Sequence, residues 1–131
     1  MIDTLKPQRL DLALGALLGF IYVLFLAVTS DSVGIPRDES FYLHAGDQIA
    51  GWVDRFDEPG VESFSKAEID RGFAYNHEHP VLMKILFGVS HHWLHTKWGW
   101  IDDSLVAYRL PAMVMAGIAI WVVFLLGTLL A

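Results

Sequence analysis

From Leu10 to Thr29 the chain carries one charge, Asp11, and no proline, and no other stretch restricts the fold as tightly. A helix of about 20 apolar residues matches the hydrocarbon thickness of a bilayer. A chain of 131 residues would ordinarily be one domain, but its hydrophobic content is high for a soluble protein of that size. The stretch therefore reads as a transmembrane helix. Lys6 and Arg9 precede it as they would precede a signal peptide, but it is longer than a typical h-region, and Val28-Thr29-Ser30 is a poor small-x-small cleavage site. The 54% hydrophobic content and the positive mean hydropathy of +0.43 agree with a membrane protein.

A second apolar run, Val106 to Ala131, is broken only by Arg109 and Pro111 near its start. It ends without the interfacial anchors that close a spanning helix, and so reads as an N-terminal fragment stopping inside a helix. Between the two, Val81 to Leu94 is apolar but short, with Lys84 at one end and His91, His92 and His95 at the other. As a span it snorkels at both ends; a re-entrant or interfacial helix is the alternative. The expectation is an all-α, polytopic membrane protein of the cell inner (plasma) membrane. It has three transmembrane helices at about 10–29, 80–96 and 106–131, joined to a long loop at about 30–79 that carries amphipathic surface helices.

The net charge of -6 is concentrated in that loop, because eleven of the fifteen acids lie between Asp31 and Glu78. Such a loop is unsuited to nucleic acid or anionic lipid. Lys6, Arg9, Lys97 and Arg109 on one side balance Arg37, Arg55, Lys66 and Arg71 on the other in number. The first set sits in short flanks, which places the N-terminus in the cytoplasm and the loop outside it. Without cysteine there is no disulfide, thiol nucleophile or thiolate metal site.

Within the loop, Phe41, Ala45, Ile49, Trp52 and Phe56 recur at helical spacing and predict an amphipathic helix from Asp38 to Phe56. Pro36 suits its first turn, and Asp38 with Glu39 complements the positive end of its dipole. Asp57-Glu58-Pro59-Gly60 is a turn signal; Ser65-Lys66-Ala67-Glu68 fits a capping box for a short helix that Gly72 would stop. The Trp and Phe side chains would lie at the membrane interface.

Chemistry concentrates at two helix mouths, Pro36-Arg37-Asp38-Glu39-Ser40 and Asn76-His77-Glu78-His79-Pro80-Val81-Leu82-Met83-Lys84. Topology brings Asp38 and Glu78 to one membrane face, where a carboxylate can act as a general base toward an acceptor hydroxyl. Ionisable groups beside a membrane core usually serve function, although two acids at a helix start equally serve the helix. His77, Glu78 and His79 also invite a divalent metal, but His-x-His without a third ligand of matching spacing is a weak signal. Lys84 lies where it could meet a lipid phosphate or simply snorkel. Tyr75 and Asn76 are secondary candidates for hydrogen bonds to a sugar or phosphate. His91, His92 and His95, among Trp93, Trp98 and Trp100, read as an interfacial belt.

Three of these places together resemble the membrane-embedded, lipid-carrier-dependent glycosyltransferases of the GT-C fold, family 39, which include protein O-mannosyltransferases and aminoarabinose transferases. Asp38-Glu39-Ser40-Phe41-Tyr42 is similar to their D-E-x-x-Y pattern, His79-Pro80-Val81-Leu82-Met83-Lys84 to H-P-P-L-x-K, and Arg109-Leu110-Pro111-Ala112 to R-L-P-S/A. Val81 departs from the second proline, and His79 stands where the aminoarabinose branch has lysine. The resemblance implies sugar transfer from a polyprenyl-phosphate donor to a protein, lipid or glycan acceptor at the non-cytoplasmic face. It assigns the catalytic roles to Asp38 and Glu78, supporting roles to Glu39, Tyr42 and His79, and the donor phosphate to Lys84 and Arg109. No cofactor is obligatory in that family, and a divalent cation stays open. The competing reading is a non-catalytic three-helix module that binds a partner through its acidic loop.

Overall fold

The computed structural model describes residues 7–130; Lys6 and Ala131, which the sequence reading placed in a basic flank and a final helix, lie outside them. Among the described residues the fold is all-helical. In order it contains α1 (Arg9–Thr29), α2 (Arg37–Asp54), α3 (Lys66–Phe73), α4 (Val81–Ser90), a π-helix (His91–Lys97) and α5 (Ser104–Leu130), with short 3-10 turns after α1 and α2. Two of these are long and apolar enough to cross a membrane: α1 with its 3-10 turn, Arg9–Ser32, and α5. The described residues divide into two compact units, one of residues 7–30 and 112–130, the other of residues 31–111.

In the first unit α1 meets the distal part of α5 through glycine. A Cβ added to Gly19 would lie 2.5 Å from the Gly117 carbonyl oxygen, and one added to Gly15 would lie 2.8 Å from the Phe124 ring. Small residues at a crossing bring two helix backbones together where dispersion and close packing must hold them. The outer surface is apolar, with Leu17, Phe20, Phe25, Ile118, Val123 and Leu126 all exposed. Only 11% of the most apolar stretch of each spanning candidate is buried, which is unlike the core helix of a soluble domain. At the start of α1, the Asp11 carboxylate accepts the Gln8 amide at 2.9 Å and meets the helix dipole.

The second unit is built around α2. Its buried stripe is Ala45, Gly46, Ile49 and Ala50, narrower and made of smaller residues than the aromatic-containing stripe read from spacing. Phe41 is 41% exposed. The small stripe lets α4 approach: a Cβ on Gly88 would lie 2.6 Å from the Gly46 carbonyl carbon. On the other side α3 rests against Trp52, whose Cβ stands 2.8 Å from where a Gly72 side chain would begin. Gly72 is thus a packing residue inside α3 rather than its stop. Trp52 donates its indole N–H to the Ser63 carbonyl at 2.7 Å and meets Phe56, Phe64 and Phe73 edge-on. Ser65 caps α3 by accepting the Glu68 amide, as the capping box predicts.

The segment expected to span at 80–96 is ten residues of α-helix continued by seven of π-helix, about 25 Å in all at the α-helical rise and half-buried against its own unit. Its histidines are engaged inside this unit. His92 contacts the Asp54 carboxylate at 2.8 Å, and Lys97 reaches the same carboxylate at 2.6 Å. His91 stacks on Tyr108 with ring centroids 3.8 Å apart, and its Nε2 lies 3.0 Å from the Ser104 hydroxyl. His95 donates to the Ile101 carbonyl at 2.9 Å. The first turns of α5 close the unit: Tyr108 donates to Asp47, and the Ser90 hydroxyl donates to the buried Ala107 carbonyl at 2.6 Å. That carbonyl stands four residues before Pro111, which has no N–H to offer it.

Candidate active site

Asp38 and Glu78, forty residues apart in the chain, line one open cleft of about 360 Å³ together with Phe41, Tyr75, Asn76 and His79. The first two turns of α2 supply Asp38 and Phe41; the turn between α3 and α4 supplies the other four. Tyr75 stands edge-on to His44, with centroids 4.6 Å apart, and tilted against Phe41 at 6.4 Å. The cleft therefore presents carboxylates, one amide and aromatic faces to the same space, a combination that can bind hydroxyl groups and the apolar face of a sugar ring.

The turn is held by its backbone. Asn76 adopts φ 54°, in the left-handed region that asparagine tolerates better than most residues. Its carbonyl accepts the ammonium of Lys84, which is only 2% exposed. Lys84 is thus neither snorkelling nor lining the cleft; it is a buried anchor for the turn that carries Glu78. The Glu78 carboxylate, by contrast, is exposed and held below the usual glutamate range. A hydrogen bond from its own amide is the main cause, outweighing slight desolvation, with help from the positive charge of His77, His79 and Lys84. At neutral pH it is an anion able to stabilise positive charge, a weaker base than an ordinary glutamate and unsuited to donate a proton.

Glu39 and Arg109 join two of the motifs read from sequence. The guanidinium forks onto the carboxylate, Nε to Oε1 at 2.6 Å and Nη2 to Oε2 at 2.7 Å. It also donates to the carbonyls of Val33 at 3.1 Å and Gly34 at 3.0 Å. Pro36 is the residue before the first helical position, not within the first turn, and it offers no side-chain cap. Arg109 therefore ties down the chain leading into α2. Tyr42 meets His79 edge-on at 5.7 Å, linking the two halves on a neighbouring face. There an apolar groove of about 490 Å³ is lined by Pro36, Glu39, Tyr42, Pro80, Met83 and Phe87.

The structure thus assembles Asp38, Glu78 and His79 at one cleft and Glu39 and Tyr42 at the adjoining groove, while Lys84 and Arg109 line neither and instead bond Asn76 and Glu39. Phe41 belongs to the cleft although its spacing assigned it to the buried stripe; its position one turn after Arg37-Asp38 was the available signal. Among the described residues no group of three or more His, Cys, Asp or Glu side chains converges as a metal site. Compared with models of protein families, with curated proteins and with solved structures, the chain finds no match.

Proposed function

We propose that the chain is part of a membrane-embedded glycosyltransferase that moves a sugar from a polyprenyl-phosphate carrier to a hydroxyl-bearing protein, lipid or glycan acceptor. The observation that carries this reading is the shared cleft of Asp38 and Glu78. Asp38 takes the proton of the acceptor hydroxyl, whose oxygen attacks the anomeric carbon; the bond to the carrier phosphate breaks and the prenyl phosphate leaves. One base and a departing phosphate give inversion, with no covalent glycosyl-enzyme. The anionic Glu78 faces the positive charge that develops at the sugar ring. Glu39, Tyr42 and His79 support the walls. The neighbouring apolar groove suits a prenyl chain.

In this reading the two long helices cross the membrane, and the segment expected to span at 80–96 is instead the re-entrant or interfacial helix, because His92 and Lys97 at its far end hold Asp54 of the loop and Arg109 at the start of α5 holds the chain just after α1. The N-terminus is cytoplasmic, and residues 30–79 face the other side of the inner membrane. The aromatic cleft and carboxylates also suit the acidic loop to its substrate without a nucleic-acid partner. The test is transfer from a panel of labelled polyprenyl-phosphate sugars in membranes holding the full-length protein, wild type beside Asp38→Asn. Transfer lost only in the variant, with insertion and abundance unchanged, is the expected result. No transfer from an inserted wild type would favour a partner-binding module, and full activity in Asp38→Asn would remove the base.

A further inference from the structure

We infer that Arg109 is a positioning residue for the Asp38–Glu78 cleft, fixing Asp38 through Glu39 and the carbonyls of Val33 and Gly34; this rests on the reading of those carboxylates as the chemical centre. Three observations carry it. The first turn of α2 has no side-chain cap, because the residue before it is Pro36. The approach to it, residues 33–35, lies outside any helix, and only the Pro36 carbonyl joins the ladder, accepting the Ser40 amide at 3.4 Å. Arg109 meets this need from α5, using Nε, Nη1 and Nη2 on four acceptor atoms that flank Asp38 in sequence.

The ion pair is partly shielded, with side chains 13% and 20% exposed for Arg109 and Glu39. A planar fork of this kind fixes direction as well as distance, which a lysine cannot reproduce with its single point charge. Glu39 is the residue next to Asp38, so any rotation of the first turn of α2 that breaks the fork also swings Asp38 away from Glu78. Arg109 acts on the cleft without touching what the cleft binds. It is a framework residue where the resemblance would make it a phosphate contact.

The absence of native cysteine allows paired spin labels at chosen places in the intact chain in nanodiscs. Labels on Ser40→Cys and His77→Cys bracket the cleft from its two elements, and labels on Gly51→Cys and Asp70→Cys, both exposed, sample α2 and α3 away from it. With Arg109 the cleft pair gives one narrow distance peak. Arg109→Lys loses that peak while the control pair is unchanged, and Glu39→Gln, which keeps part of the fork, falls between. An unchanged cleft pair in Arg109→Lys overturns the proposal, as does equal broadening of both pairs, which would mark general loosening.

In membranes that transfer sugar, Arg109→Lys lowers kcat by about 100-fold, the scale of a small misplacement of reacting groups, with donor KM kept. A raised donor KM with kcat kept would make Arg109 a donor contact and overturn the assignment. Absence of transfer in the wild type refutes the functional reading instead, and the spin-label distances still decide the clamp.

Discussion

Removing the Ser90 hydroxyl tests how the second unit accommodates a proline inside α5. The Ala107 carbonyl is 0% exposed at its residue and accepts Ser90 Oγ at 2.6 Å. Its ordinary helical donor would be the N–H of residue 111, which proline lacks. Ser90→Ala therefore strands a buried acceptor and should cost about 1–3 kcal/mol. The decisive comparison is the same substitution in a Pro111→Ala background, where the restored N–H returns to the carbonyl and the cost of Ser90→Ala falls below about 1 kcal/mol. Reversible unfolding of the chain in mixed micelles, followed by helical circular dichroism, gives both values. The reasoning fails if Ser90→Ala is neutral within about 0.5 kcal/mol, or if it costs the same in both backgrounds, since the two residues would then not be coupled.

Gly88→Ala should destabilise by about 1–3 kcal/mol or more by forcing α4 off Gly46, whereas Gly51→Ala, with nothing within 4 Å, should stabilise by about 0.5–1 kcal/mol through helix propensity; thermal melts separate them. Burial raises the Asp54 carboxyl, but hydrogen bonds and charge from Lys97 and His92 outweigh it and hold it below the ordinary aspartate range. A depressed folded value means its stabilisation is present above about pH 4 and lost as pH falls through the folded value, so Asp54→Asn should flatten the acid limb of a stability–pH curve. Lys84→Met should cost about 1 kcal/mol and speed amide exchange across residues 75–79 by freeing the Asn76 carbonyl, while Asn76→Gly, at φ 54°, should be tolerated. Equal exchange in Lys84→Met and wild type would remove Lys84 as the anchor of that turn.

What was legible in the sequence was local. The apolar runs placed α1 and α5 within two residues of their observed bounds, and the spacing after Asp38 placed α2. Ser65 and Glu68 announced the capped start of α3 because a cap is written in adjacent residues. Two helix-mouth motifs gave the cleft carboxylates, Asp38 and Glu78. The pairings that fix the site were not legible: Gly46 with Gly88, Lys84 with Asn76, Ser90 with Ala107 and Arg109 with Glu39. Each depends on which faces meet after folding, and neither hydropathy nor periodicity encodes that. The histidines show the same limit. Beside tryptophans they look interfacial, yet Asp47, Asp54 and Tyr108 are close enough to engage His91 and His92.

The fork between Arg109 and Glu39 has a consequence for biosynthesis. Its partners are 70 residues apart, and at ordinary elongation rates of about 5–20 residues per second Glu39 is made roughly 4 to 14 s before Arg109. During that interval the entry into α2 lacks the side chain that later ties it down, although α1 and the whole of α2 to α4 have already been synthesised. The first turn of α2 is therefore among the last parts of its unit to be secured on the ribosome. A pause or insertion fault at the start of α5 would leave the nascent chain with its helices formed and its carboxylates out of register.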